Sequence, residues 1–103
     1  MVDTNENFTQ YQYGETEFLN ISNRWSRKNI RRLVSGEEGV LLHFLKEKCT
    51  FVIFDEDGNK LTHENINDEN IENIDILLHN WISTTLVEHI DFLLSLVQKN
   101  EKE

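Results

Sequence analysis

The chain contains no proline and no alanine, and only one cysteine, Cys49, among its 103 residues. A single cysteine excludes an intrachain disulfide, and a zinc site would have to rely on histidines and carboxylates. No run of ~18 apolar residues is present, so no membrane-spanning helix is expected. The opening "MVDTNENFTQ" has neither the basic nor the apolar region of a secretory signal. The expected setting is therefore cytoplasmic and reducing, in which the glycosylation patterns at Asn7 and Asn20 carry no meaning. Proline and alanine have GC-rich codons, whereas the plentiful Asn, Ile, Glu and Lys have AT-rich ones. That bias points to an AT-rich genome, such as a low-GC bacterium or its mobile elements.

Motifs of catalysis are also missing. There is no GxSxG, no glycine-rich phosphate loop and no HExxH. The histidines, His43, His63, His79 and His89, include no pair at helical i, i+4 spacing, so no shared metal is expected. Cys49 has only Lys48 as a basic neighbour and reads as a packed strand thiol. "FDEDGNKLTHEN" places Asp55, Asp57 and Asn59 at the 1, 3 and 5 positions of a calcium loop. Lys60 then stands where the loop needs glycine, and Ile66 where it needs a bidentate glutamate. An acidic hairpin turn is the better reading. No enzyme activity, metal or cofactor is expected.

Positive charge is scarce as well. Ten Lys and Arg face nineteen Asp and Glu, for a net charge of −9. Yet "NRWSRKNIRRL", residues 23–33, holds five of those cations and no acid, which leaves a net of −14 on the rest. At 38% hydrophobic residues, ten of them aromatic, the chain has enough apolar material for one folded domain over 1–103. Residues 1–7 and 99–103 are expected to fray.

What is present reads as an α+β fold: a small, mainly antiparallel sheet against a C-terminal helical layer. "FTQYQYGETEFLNI" suggests a hairpin turning at Gly14-Glu15. Residues 22–35 have helical spacing, with Ser22 or Ser26 as the cap and Gly36 as the terminating glycine. Ser35 and Glu38 have capping-box spacing before "VLLHFL". That makes residues 37–48 a helix, although the run is apolar enough to be a strand. "CTFVIF" is a central strand, Asp57-Gly58 a turn, and "KLT" a short returning partner. From Ile71 onward an apolar stripe runs through Ile74, Leu78, Trp81, Ile82, Leu86, Ile90, Leu93 and Val97. It belongs to one bent helix, or to two helices meeting near Ser83, where Thr85 and Glu88 repeat the capping-box spacing. Leu77, Val87, Phe92 and Leu94 widen the stripe beyond the needs of a helix wet on one side, so a homodimer through 71–97 is expected.

Two charged constellations point to binding. Residues 55–75 are dense in acids. Asp55, Glu56, Asp57, Glu64, Asp68, Glu69 and Glu72 would give a negative surface that steers cationic partners. The expected function is a small, acidic, non-enzymatic protein-binding module, an inhibitor or regulator that engages a basic partner protein. The bland reading is a solubilising face. On a helix, Arg24, Arg27, Lys28, Arg31 and Arg32 would fall within an arc of about 140°, with Trp25 at its edge to stack a base. The alternative is therefore a nucleic-acid-binding regulator, or contact with an acidic partner, through 23–33. Against that stand the net charge and the bland possibility that these cations are solvated or dock on the protein's own acids.

Overall fold

A computed structural model describes residues 7–37 and 39–101, with side chains through Leu96. Of the expected frayed ends, residues 1–6 and 102–103 fall outside the described residues, residues 99–101 are helical, and Asn7 is tied in, its carbonyl accepting from the Asn23 N–H at 2.7 Å. The architecture is α+β, as the sequence implies. Strands β1 (Phe8–Tyr13) and β2 (Glu17–Ser22) form the hairpin, β3 is Cys49–Phe54, and β4 is Lys60–Thr62. They make one antiparallel sheet in the order β1-β2-β3-β4. Helices α1 (Arg27–Ser35) and α2 (Val40–Glu47) connect β2 to β3, and α3 (Ile76–Glu101) follows a 3-10 turn at Asn70–Asn73.

Strand alternation sends Leu19, Ile21, Phe51, Ile53 and Leu61 to one face, where all are buried. The helices cover that face. Leu78, Ile82, Leu86 and Ile90 of α3 join it in a single core with Leu33, Val40, Phe44 and Leu45. Each fully buried aliphatic side chain stabilises the fold by about 1.5–3 kcal/mol relative to exposure. On the other face one polar pair sits beside the apolar pair Phe18–Val52: Asn20 Nδ2 donates to Thr50 Oγ1 across the β2–β3 register at 3.1 Å.

The structure decides two alternatives that the sequence left open, the cap of the first helix and the continuity of the last, and changes the start of the second helix. The first helix begins only after Ser26, whose Oγ accepts from the Asn29 N–H at 3.1 Å. Arg24 and Trp25 thus precede α1 rather than lying on it. Ser35 does not cap α2, and its expected capping-box partner Glu38 lies outside the described residues. Ser35 still belongs to α1 and donates its Oγ–H to the Arg32 carbonyl at 2.7 Å. Two glycines make the corner instead. Gly36 ends α1 at φ 73° and Gly39 precedes α2 at φ 80°, a region closed to most side chains. Finally, α3 runs unbroken through Ser83. Thr84 donates to the Asn80 carbonyl at 2.9 Å, and Thr85 is buried in the helix interior. The Thr84 hydroxyl is thus absorbed by its own helix.

Candidate partner-binding surfaces

The acidic segment is a hydrogen-bonded loop built by its asparagines. Asn67 Oδ1 accepts from the N–H groups of Glu69 and Asn70, both at 2.9 Å. Asn70 Nδ2 reaches back to the Asn65 carbonyl, and Asn65 Oδ1 accepts from the Thr62 N–H. The Glu56 N–H donates to the Asn73 carbonyl at 2.9 Å, which brings the β3–β4 turn beside the start of α3. There Asp75 Oδ2 accepts from the Leu77 N–H at 2.8 Å and caps the helix.

Asp55 is set apart from its neighbours. It is 9% exposed, and its carboxylate serves its own turn. Oδ1 accepts from the N–H groups of Asp57 and Asn59, and Oδ2 from the Asn59 side-chain amide. The Asn59 N–H, aided by the Asn59 amide and Asp57, holds the Asp55 carboxyl below its ordinary value despite partial burial. This carboxylate shapes the turn and is not presented to a partner. Glu56, Asp57, Glu64, Asp68, Glu69 and Glu72 are all exposed.

Three of these acids, Glu56, Asp68 and Glu72, rim a groove that sequence spacing did not indicate. It consists of three open depressions of about 300, 420 and 330 Å³ that share His79. The first lies between the α1–α2 corner and Val87. The second lies between Leu41 of α2 and Ile71, and the third between Ile71 and Ile76 at the start of α3. Its acids are Glu37, Glu56, Asp68, Glu72 and Asp75, and among the described residues no Lys or Arg lines it. Near it, Ile76 and Val87 are 77% and 44% exposed. The unexplained apolar residues of α3 were the available signal, but the groove joins segments forty residues apart in sequence.

The stripe expected to carry a homodimer divides between core and surface. Ile74, Leu78, Ile82, Leu86 and Ile90 are buried in the protein's own core; Leu77, Phe92 and Leu94 are exposed. Val97 lies outside the described side chains.

In the basic stretch, Trp25 serves the fold. Its Nε1–H donates to the Ser22 carbonyl at 2.7 Å, and its ring packs 4.9 Å from Phe44. Lys48 sits over the indole and donates to the Arg24 carbonyl at 2.9 Å. Arg32 lies over the Phe44 ring. Arg24, Arg27, Lys28 and Arg31 are exposed. Among the described residues none of the five cations of the stretch is ion-paired to an acid.

His89 is fully buried between α3 and the hairpin. Its Nε2 lies 3.0 Å from the Ser22 carbonyl and its Nδ1 2.8 Å from the Tyr11 hydroxyl. The carbonyl can only accept, so Nε2 carries the proton and Tyr11 donates to Nδ1. Burial lowers the His89 pKa, and burial followed by the Glu88 charge raises that of Tyr11. Burial also pushes the Cys49 thiol up to about 12, which leaves it unreactive. Among the described residues no cluster of His, Cys, Asp or Glu has the geometry of a metal site. No helix described is long and apolar enough to cross a membrane. No protein family, curated protein or solved structure matches this chain.

Proposed function

We propose that this chain is a small, acidic, non-enzymatic protein-binding module that engages a basic partner protein as an inhibitor or regulator. The observation that carries this reading is the groove along the start of α3, rimmed by five acids with no Lys or Arg in its described lining. A cleft lined by one sign of charge focuses its field and raises the association rate of an oppositely charged partner. The asparagine-organised loop fixes the backbone that carries Asp68, and the Glu56–Asn73 bond fixes that of Glu56, which reduces the ordering cost of association. The test is association kinetics with small, folded, cationic proteins, lysozyme and cytochrome c, at rising salt. The on-rate should fall steeply with salt, and the Glu56→Gln/Asp68→Asn/Glu72→Gln variant should lose most of it. Kinetics indifferent to salt and to these substitutions would refute the reading.

A second reading is favoured by the exposed cations Arg24, Arg27, Lys28 and Arg31, which pair with no acid among the described residues: contact with the phosphates of a nucleic acid. Four neutralised phosphates predict a logarithmic salt slope of about −3.6 on duplex DNA. Anisotropy of labelled DNA and RNA, with the Arg27→Ala/Arg31→Ala variant as control, tests it. Absence of binding at low salt would exclude it.

A further inference from the structure

Resting on the acidic-module reading, we infer that the groove is a receptor for a basic amphipathic α-helix of the partner protein, which lays apolar side chains into the depression between the α1–α2 corner and Val87 and its Lys and Arg against the acids of the other two. The shape favours a helix. The groove follows α3 from Ile76 to Val87, eleven residues and so about 16 Å at 1.5 Å per residue. A helix laid alongside spans the same length in three turns, and its i, i+4 and i+7 positions present one anchor per turn. The first and second depressions share Gly39 and Leu41, the second and third share Ile71 and Glu72, and all three include His79, so one ligand can cover them together. An extended strand would seek a sheet edge for its backbone hydrogen bonds, and the groove offers helix and loop side chains instead.

The chemistry selects the sign. Val87, Leu41 and Ile71 supply the apolar floor, while Glu37, Asp68 and Glu72 are exposed on its rim. An acidic or neutral amphipathic helix would meet like charge or leave those carboxylates without partners, so the rim discriminates as well as attracts. A second copy of this chain is a poor occupant. Its one basic helix, α1, already buries Leu33 and packs Ile30 against its own core.

The test uses fluorescein-labelled model peptides at near-physiological salt: an amphipathic leucine–lysine helix of about four turns, an oligolysine of equal charge, and the leucine–glutamate counterpart. The leucine–lysine peptide should bind at least tenfold more tightly than oligolysine, and the leucine–glutamate peptide should not bind. Ile76→Lys/Val87→Lys, at two exposed positions, should weaken the leucine–lysine peptide at least tenfold without lowering Tm. Amide shifts on peptide addition should map to residues 37–41, 68–76 and 79–87. Equal binding of both cationic peptides would overturn the helix groove and leave the acidic module standing. Failure of both to bind would overturn the two together. Binding of the leucine–glutamate peptide would overturn the charge selection. A dimer in sedimentation that the Ile76→Lys/Val87→Lys variant dissociates would show the groove occupied by a second copy and overturn the proposed partner.

Discussion

Removing one oxygen atom, in Tyr11→Phe, tests the reasoning about the buried polar link between the hairpin and α3. His89 is wholly inaccessible, with Ser22 O on one ring nitrogen and Tyr11 OH on the other. The substitution leaves Nδ1 as a buried acceptor with no donor, which costs about 1–3 kcal/mol. Tyr11 is itself half-buried, so water can enter from its side and hold the loss to the lower part of that range. For a domain of this size each kcal/mol corresponds to roughly 4–8 °C in Tm. A fall of about 5–15 °C in a thermal melt is therefore expected. A Tm unchanged within error would refute the assigned tautomer and the importance of the link.

The same site fixes a pH dependence. Burial lowers the folded-state pKa of His89, whereas the unfolded chain titrates near 6.5. Between the two values the unfolded state binds a proton that the native state refuses. Stability is then full above about pH 6.5 and declines as the pH falls toward the folded value, by at most about 1.4 kcal/mol per pH unit. Urea unfolding of the wild type and His89→Gln from about pH 5 to 7.5 isolates this term, because Asp and Glu remain largely ionised there. The wild-type curve should slope and the variant's flatten. Parallel curves would show that His89 titrates alike folded and unfolded.

Two further outcomes follow from local geometry. Gly36→Ala should cost about 1–2 kcal/mol, because the left-handed φ of 73° strains a Cβ that meets no atom within 4 Å; urea midpoints for Gly36→Ala and the better-tolerated Gly36→Asn will check this. Asp55 contributes stability that is present above its unfolded value of about 3.9 and is lost as the pH falls toward its lowered native value. Asp55→Asn, which keeps the Oδ1 acceptor but cannot titrate, should lack that part of the acid limb in CD-monitored titration.

The sheet was legible because its signals are local. "CTFVIF" is an uninterrupted β-branched and aromatic run, and the registers around Gly14 and Gly58 follow from glycines at positive φ between strands. The helix boundaries were less so, because Ser and Thr offer the same hydroxyl in three settings. Ser26 caps, Ser35 bonds back to Arg32, and Thr84 bonds back to Asn80. Spacing alone does not separate them; the glycine pair at 36 and 39 decides where α1 stops. Asp55 shows the corresponding limit for sites. Composition counts it with Glu56 and Asp57, whereas hydrogen bonding turns its carboxylate inward. The groove was hidden for a topological reason, since Glu37, Glu56 and Glu72 come to line one surface only after α3 packs beside the α1–α2 corner.

The same folding separates the charges, and this decides how a net of −9 should be understood. Near physiological ionic strength the screening length is about 8 Å, much smaller than a molecule with principal extents of 50 × 31 × 22 Å. A partner at contact therefore responds to the patch in front of it. The unpaired state of Arg24, Arg27, Lys28 and Arg31 then has meaning. If these cations had served to offset the surplus acids, folding would have brought them within ion-pair distance, and among the described residues it does not. Among the described residues the groove takes no Lys or Arg from the basic stretch, although its first depression begins beside the end of α1, at Leu33. On the proposed reading a cationic helix would occupy the groove while those cations stay available to an anion, and the two contacts should compete only as salt is withdrawn and the screening length grows toward about 30 Å.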